Sequence, residues 1–148
     1  MNLNDAELLA RTLIHQYVPN YRFGWMRAKK TNGRCNYRER TIYLSQPLTA
    51  LRTSEAVRTT IMHEIAHAIT PGRGHGPVWQ AQMRKFGLPA DRCSQDTVDT
   101  TSLATWRAVC KGCGKVTHMM RKPRVTRSCG TCSRGVFNQN YVLTYSRV

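Results

Sequence analysis

The apolar positions near the start of the chain recur with a helical period. Asn4 and Glu7 have the spacing of a capping box ahead of this stripe, and Pro19 follows it. The pattern predicts a first helix over residues 5–18 with one apolar face. That face consists of Ala6, Leu9, Ala10, Leu13, Ile14 and Tyr17.

The pattern then changes to short segments rich in aromatic and β-branched residues. These segments predict strands over residues 21–28 and 40–45. Between them, Asn32 and Gly33 form an Asn-Gly pair, which predicts a tight turn. Pro47 is expected to end the second strand because proline cannot donate to a strand ladder.

A helix expected to begin near Ser54 is apolar around most of its circumference. The remaining arc carries Thr60, His63, Glu64 and His67. A helix that is apolar on nearly all sides is buried, so two histidines and a carboxylate on its polar arc need a partner inside the protein. A metal ion is a suitable partner, because imidazoles four residues apart project side by side and can bind one zinc ion.

A third histidine can reach the same metal after a break in the helix. Pro71 and Gly72 should end the helix that begins near Ser54, and another helix is predicted from Pro77 to about Phe86. Glycines on both sides of His75 let the chain turn back toward the metal.

Catalytic zinc takes three protein ligands and keeps an open position. The sequence therefore predicts His63, His67 and His75 as zinc ligands, with Glu64 as the base that takes a proton from the attacking water. The alternative is a chance match on a core helix, with His75 as a surface loop residue.

The charge of the chain indicates a polyanionic partner. The net charge is +15, from 23 Lys and Arg against 8 Asp and Glu. The alternative is a solvated basic surface. The first residues lack the pattern of a signal peptide, and no apolar run approaches the about 18 residues of a membrane span. We therefore expect a cytoplasmic, nucleoid-associated protein without membrane contact, in which cysteines stay reduced.

Four cysteines form a second candidate metal site. Cys110, Cys113, Cys129 and Cys132 have the spacing C-x2-C-x15-C-x2-C, which is typical of a four-thiolate structural zinc site. Two disulfides, a redox dithiol or an iron–sulfur cluster are the alternatives. A reducing compartment disfavours disulfides, a redox dithiol needs one pair only, and glycine-rich turns within the pairs favour zinc.

A polar segment predicts the domain boundary. Residues 93–104 are rich in Ser, Thr and Asp, which predicts a domain over 1–92, a linker over 93–104 and a basic module over 105–148. The module has nine Lys and Arg, no acid, and interleaved aromatic residues. Such a composition suits single-stranded nucleic acid, unless the aromatics are only the core of the module. The predicted DNA contacts are Arg121, Lys122, Arg124 and Arg127.

Three motifs together resemble the SprT-like zinc metalloprotease family, which includes the Spartan proteases of DNA–protein crosslink repair. "GRCNYRERTIYLS" at 33–45 is similar to the strand pair before the family's active-site helix. "HEIAHAI" at 63–69 is similar to its zinc-ligand helix, and "GHGPVWQAQMRKFG" at 74–87 is similar to its third histidine and the helix that follows. The cysteine-rich end resembles the ribbon of the bacterial SprT branch.

The resemblance implies a fold and an activity. The fold is α+β, a minimal zincin-like metalloprotease domain with a C-terminal four-cysteine zinc ribbon. By the matching motifs His63, His67 and His75 are catalytic zinc ligands and Glu64 is the base. The implied activity is cleavage of DNA-bound proteins, switched on by DNA.

The resulting hypothesis is a monomeric, DNA-dependent zinc endopeptidase with one catalytic and one structural zinc. Its expected partners are single-stranded DNA or single/double-strand junctions, and proteins bound or crosslinked to DNA. The alternatives are a non-enzymatic zinc-dependent nucleic-acid-binding protein and a peptidase indifferent to DNA. The presence of Glu64 argues against the first alternative, and the basic module argues against the second.

Overall fold

The computed structural model describes all residues 1–148 and divides into two compact units, Met1–Val98 and Asp99–Val148. The first unit contains helices α1 (Leu3–Tyr17), α2 (Gln46–Leu51), α3 (Ser54–Ile69) and α4 (Pro77–Lys85), and strands β1 (Arg22–Met26), β2 (Gly33–Asn36) and β3 (Thr41–Ser45). The second unit contains strands β4 (Trp106–Cys110), β5 (Val116–Met119) and β6 (Leu143–Arg147). None of the helices has the length and apolar character needed to cross a membrane. The predicted α+β class is confirmed.

The first helix is confirmed, but its predicted capping box is wrong. Asn2 occupies the N-cap, and its side chain accepts hydrogen bonds from the backbone of Asn4 and Asp5. Because the chain enters the helix two residues earlier, Glu7 is no longer in capping position. Its carboxylate instead accepts hydrogen bonds from Arg11 and from the indole of Trp25.

The sheet of the first unit has a mixed topology. Its strand order is β1-β3-β2, with β1 parallel to β3 and β2 antiparallel to β3. The turn predicted at Asn32–Gly33 is wrong, since Gly33 is the first residue of β2. The tight turn lies at residues 37–40 instead, where Arg40 has a φ of 48°.

Gly33 allows β2 to approach α3 closely and is not part of a turn. A Cβ atom at this position would lie 2.9 Å from Thr60 Cγ2 and 3.1 Å from Glu64 Cγ, both on α3. Glycine is therefore the residue that lets the backbone of β2 pack directly on α3.

Pro47 begins a short helix that the pattern did not predict. It lies in the first turn of α2, and the Ser45 hydroxyl accepts a hydrogen bond from Leu48 N and caps the helix. Proline is well accommodated there because the first helical N–H groups have no partner inside the helix.

The predicted central helix is confirmed as the core of the first unit. It begins at Ser54 and is capped by Thr53. Val57, Ile61 and Ile65 on α3 are fully buried and pack with α1 and the sheet. The helix that carries the candidate chemistry is therefore also part of the core of the unit.

The second unit is an antiparallel sheet of order β5-β4-β6 with little apolar core. Its buried apolar positions are Ala104, Ala108, Cys110 and Cys129, and two of these four are cysteines. The division into units falls between Val98 and Asp99. The predicted roles of residues 1–92, 93–104 and 105–148 stay predictions.

Candidate active site

Three histidines converge on one point beside α3. His63 and His67 lie one turn apart on α3, and His75 comes from the loop before α4. Their Nε2 atoms are 3.1 Å apart for His63–His75, 3.2 Å for His63–His67 and 3.0 Å for His67–His75. The structure brings together the three histidines that the sequence singled out.

The donor set fits a metal ion. Three nitrogens this close cannot all be satisfied by hydrogen bonds to one another, because each neutral ring has one N–H. Burial lowers the pKa of His63 and of His67 to about 4, so both rings are neutral at pH 7, the form that binds metal. Tetrahedral ligands at about 2.0–2.1 Å from zinc stand about 3.4 Å apart, close to the distances here.

Trp79 of α4 holds the three imidazoles in place. Its side chain is fully buried, and its ring centroid lies 4.7 Å from His63, 5.4 Å from His67 and 4.6 Å from His75. Its indole N–H also points to the backbone oxygen of His63 at 3.4 Å. Gln80, on the same helix, donates to the backbone oxygen of His75. The start of α4 therefore orients all three candidate ligands.

Trp79→Ala should lower both stability and metal affinity. Loss of a buried tryptophan should decrease the free energy of unfolding by about 3–5 kcal/mol. Loss of the ring that orients the ligands should weaken metal binding at the histidines by about 10-fold or more. The measurements are chemical denaturation and competition with a metal chelator.

Trp25→Ala is the control for loss of a tryptophan, because Trp25 packs against the main core of the same unit and makes no ring contact with the histidines. It should destabilise the unit and leave metal affinity unchanged. Equal metal affinity in the two variants would mean that Trp79 has only a packing role.

Glu64 is buried next to the imidazoles and is held by β2. Its side chain is only 7% exposed, and the backbone N–H of Cys35 donates to its carboxylate. Burial raises the pKa of Glu64 to about 7, and the hydrogen bond from Cys35 opposes part of that rise. A carboxyl group with a pKa near neutrality can both accept and release a proton, as a general base requires.

The site opens into a cleft of about 1060 Å³. The cleft is lined by β2 and the residues before it, by α3, and by residues of the segment 87–96. This last segment is tied down by Arg52, whose buried guanidinium donates to Asp96 at 2.7 and 3.0 Å and to Ser94 at 3.2 Å. Arg52 also donates to Thr60, one turn before Glu64.

The four cysteines of the second unit also meet at one point. Cys110 and Cys132 have sulfurs 3.8 Å apart, and so do Cys113 and Cys129. A disulfide would require about 2.05 Å, whereas four thiolates around zinc at about 2.3 Å stand about 3.8 Å apart. Backbone N–H groups of Cys132 and Thr131 contribute to lowering the pKa of Cys129 to about 6, which favours the ligating thiolate. The site is compatible with a metal and excludes the two-disulfide alternative.

The glycines of the cysteine motifs have different roles. Gly114 has a φ of 70°, and a Cβ at Gly112 would lie 2.8 Å from the Tyr141 ring, so both positions require glycine. Gly130 lies in the turn but has neither a positive φ nor a close neighbour, so glycine is not required at that position.

The candidate DNA-contacting side chains lie on the surface of the second unit. Arg121, Lys122, Arg124 and Arg127 are all exposed, and none has a carboxylate within ion-pair distance. Trp106 is half-buried, with Lys122 and Arg147 each 5.4 Å from its ring centroid. The predicted assignment of these four residues to DNA stays a prediction.

Sequence reasoning missed three residues that shape the site: Trp79, Gly33 and Arg52. Trp79 lies four residues after His75, in the first turn of the helix that follows it, and that spacing was a usable signal. The contacts of Gly33 and Arg52 join positions distant in the chain, and no local pattern indicates them.

The sequence model of the SprT-like family matches residues 2–99. No curated protein matches the chain. The match spans 98 of the 148 residues and includes the three histidines, Glu64 and the whole cleft. The chain belongs to the SprT-like family, a metallopeptidase-like family.

Proposed function

We propose that the protein is a DNA-dependent zinc endopeptidase that cleaves proteins bound or crosslinked to DNA. The observation that supports the peptidase chemistry is the convergence of three neutral imidazoles beside a buried carboxylate in an open cleft. Membership of a metallopeptidase-like family supports the same chemistry.

In this proposal, His63, His67 and His75 hold the zinc ion. When bound, zinc lowers the pKa of a water molecule and polarises the carbonyl group to be attacked. Glu64 takes the proton of the attacking water and passes it to the leaving amine. The Cys35 N–H keeps the carboxylate of Glu64 oriented, because that hydrogen bond is made by rigid strand backbone.

The peptide substrate is bound along β2. This strand pairs with β3 on one side only, and its residues Gly33, Arg34 and Cys35 line the cleft. An extended peptide can add to such an edge by backbone hydrogen bonds, which read little sequence. Broad substrate tolerance follows, as expected for an enzyme that meets many different DNA-bound proteins.

The second unit supplies DNA binding in this proposal. Its four-cysteine site holds a structural zinc, and Arg121, Lys122, Arg124 and Arg127 contact phosphates. Phe137, which follows these basic residues in the chain and is 60% exposed, is available for base stacking. Single strands and junctions are preferred because their bases are accessible.

Cleavage is expected to depend on DNA. DNA that binds both enzyme and substrate raises their effective concentration and replaces a bimolecular encounter by a local one. The test is to incubate the purified protein with a histone, with and without single-stranded DNA, and to detect fragments by gel electrophoresis and mass spectrometry. We expect fragments only with DNA.

The other outcomes separate the alternatives. Equal cleavage without DNA would show a peptidase indifferent to DNA. DNA binding without cleavage, repeated with a second DNA-binding substrate, would show a binding protein.

A further inference from the structure

The segment that forms the strands and connecting loops of the sheet in the first unit is rich in basic residues. Residues 21–45 carry seven Lys and Arg and one acid, Glu39. Side chains alternate along the strands, and Phe23, Ile42 and Leu44 point to the core. The opposite face, called the outer face, therefore carries Arg22 of β1, Arg34 of β2 and Tyr43 of β3.

One row of this face is preorganised. The strand register places Tyr43 between Gly24 and Arg34. A Cβ at Gly24 would lie 2.8 Å from the edge of the Tyr43 ring, so the ring rests on the glycine backbone. The Arg34 guanidinium is 5.1 Å from the ring centroid, and the Tyr43 hydroxyl donates to Glu39. Held on its aromatic support, the guanidinium loses less freedom when it binds a ligand.

Arg40 lies in the turn before β3, beside the start of β1. Its carbonyl oxygen accepts a hydrogen bond from Arg22 N at 2.8 Å, which brings the two residues together. Arg40 has a φ of 48°, a conformation for which glycine is favoured, yet the position carries an exposed arginine. Arg22, Arg34 and Arg40 are all exposed without a carboxylate within ion-pair distance.

The chemistry of this face favours the backbone of a nucleic acid. Guanidinium groups bind phosphate by two parallel hydrogen bonds and stack on planar bases. A membrane surface would require exposed apolar side chains to insert, and the two exposed outward positions of these strands, Arg22 and Arg34, are both arginine. The helices α1 and α3 cover only the opposite side of the sheet.

We propose that this face, with Arg22, Arg34 and Arg40 on the support of Tyr43, binds the phosphates of single-stranded DNA, in addition to the second unit. This inference rests on the proposed function in one respect only, namely that the polyanion is DNA. It assigns to the catalytic unit a DNA-binding surface of its own.

The test measures binding of a labelled oligo-dT strand to the full chain by fluorescence anisotropy across salt concentrations. The triple variant R22Q/R34Q/R40Q should reduce the slope of log affinity against log salt by about 2, because each phosphate bound on a single strand contributes about 0.7 to that slope. The matched control R58Q/R84Q/K85Q removes three exposed charges from α3 and α4 and should leave the slope unchanged. Equal effects of both variants would overturn the proposal.

Tyr43 provides a second readout. Tyr43→Leu removes the aromatic support of Arg34 and should weaken binding severalfold, and Tyr43→Phe should restore it. A leucine variant that binds as tightly as the phenylalanine variant would overturn the positioning role.

If R121Q/K122Q/R124Q alone lowers the slope, the sheet proposal is wrong while DNA binding by the second unit stands. Absence of binding by the wild-type chain would contradict both.

Discussion

Glu64→Gln is expected to reduce peptide cleavage by at least about 10²-fold while metal and DNA stay bound. Glutamine has nearly the same shape and can still accept the hydrogen bond from the Cys35 backbone, but it cannot take a proton. The imidazole ligands are unchanged, so zinc content should be unchanged too. Cleavage is measured with histone and single-stranded DNA, and metal content by elemental analysis.

Glu55→Gln is the matched control, because Glu55 is an exposed acid that lies on the same helix and also lines the cleft. Its activity should equal that of the wild type. Fragments that form undiminished with Glu64→Gln would show that another residue is the base, or that a contaminating protease produced them.

The stability of the Glu64→Gln variant provides a further check. Glu64 has a pKa of about 7 in the folded, metal-free protein, against an ordinary value of 4.5. The folded state therefore retains a proton that the unfolded state has lost, and the wild type loses stability as pH rises from 4.5 to about 7. The variant lacks this loss, so at pH 8 the metal-free variant should be at least as stable as the metal-free wild type in thermal unfolding. A lower melting temperature would show that the substitution had damaged the fold.

Removal of metal from the four-cysteine site is expected to unfold the second unit and leave the first unit folded. The second unit has almost no buried apolar side chains, whereas structural zinc contributes about 10–16 kcal/mol in small zinc-binding modules. The first unit has a core of its own around α3. Hydrogen exchange of the full chain, with and without a strong chelator, measures the two units separately.

Cys113→Ser and Cys93→Ser form a matched pair. Both cysteines are exposed, but only Cys113 belongs to the four-sulfur cluster. Cys113→Ser should lose protection throughout residues 105–148, and Cys93→Ser should behave as the wild type. A second unit that stays protected after metal removal would show that its fold does not depend on the site.

Features set by neighbouring residues were predicted well from the sequence. The extent of α4 follows from Pro77 at its start and Gly87 after its end, where Gly87 adopts a φ of 69°. The pairing of His63 with His67 follows from the helical repeat. In each case the cause is a backbone preference or a periodicity that acts over a few residues, so the local sequence contains the whole signal.

Pairings between distant segments were not predictable in the same way. The parallel alignment of β1 with β3 and the position of β2 at the sheet edge depend on how three strands pack on α3. For the same reason, the Asn-Gly pair was interpreted as a turn, whereas Gly33 is a contact between β2 and α3. Local turn preference was overridden by packing.

The sequence by itself determined the chemistry available to this protein: which residues can bind metal, on which helix, and with which carboxylate beside them. Only the tertiary structure decided how that chemistry is controlled. Burial under β2 raises the pKa of Glu64, Trp79 orients the three imidazoles, and Arg52 holds the segment 87–96 beside the cleft through Asp96. These effects depend on burial and on distances between residues far apart in the chain, and neither quantity exists until the chain has folded.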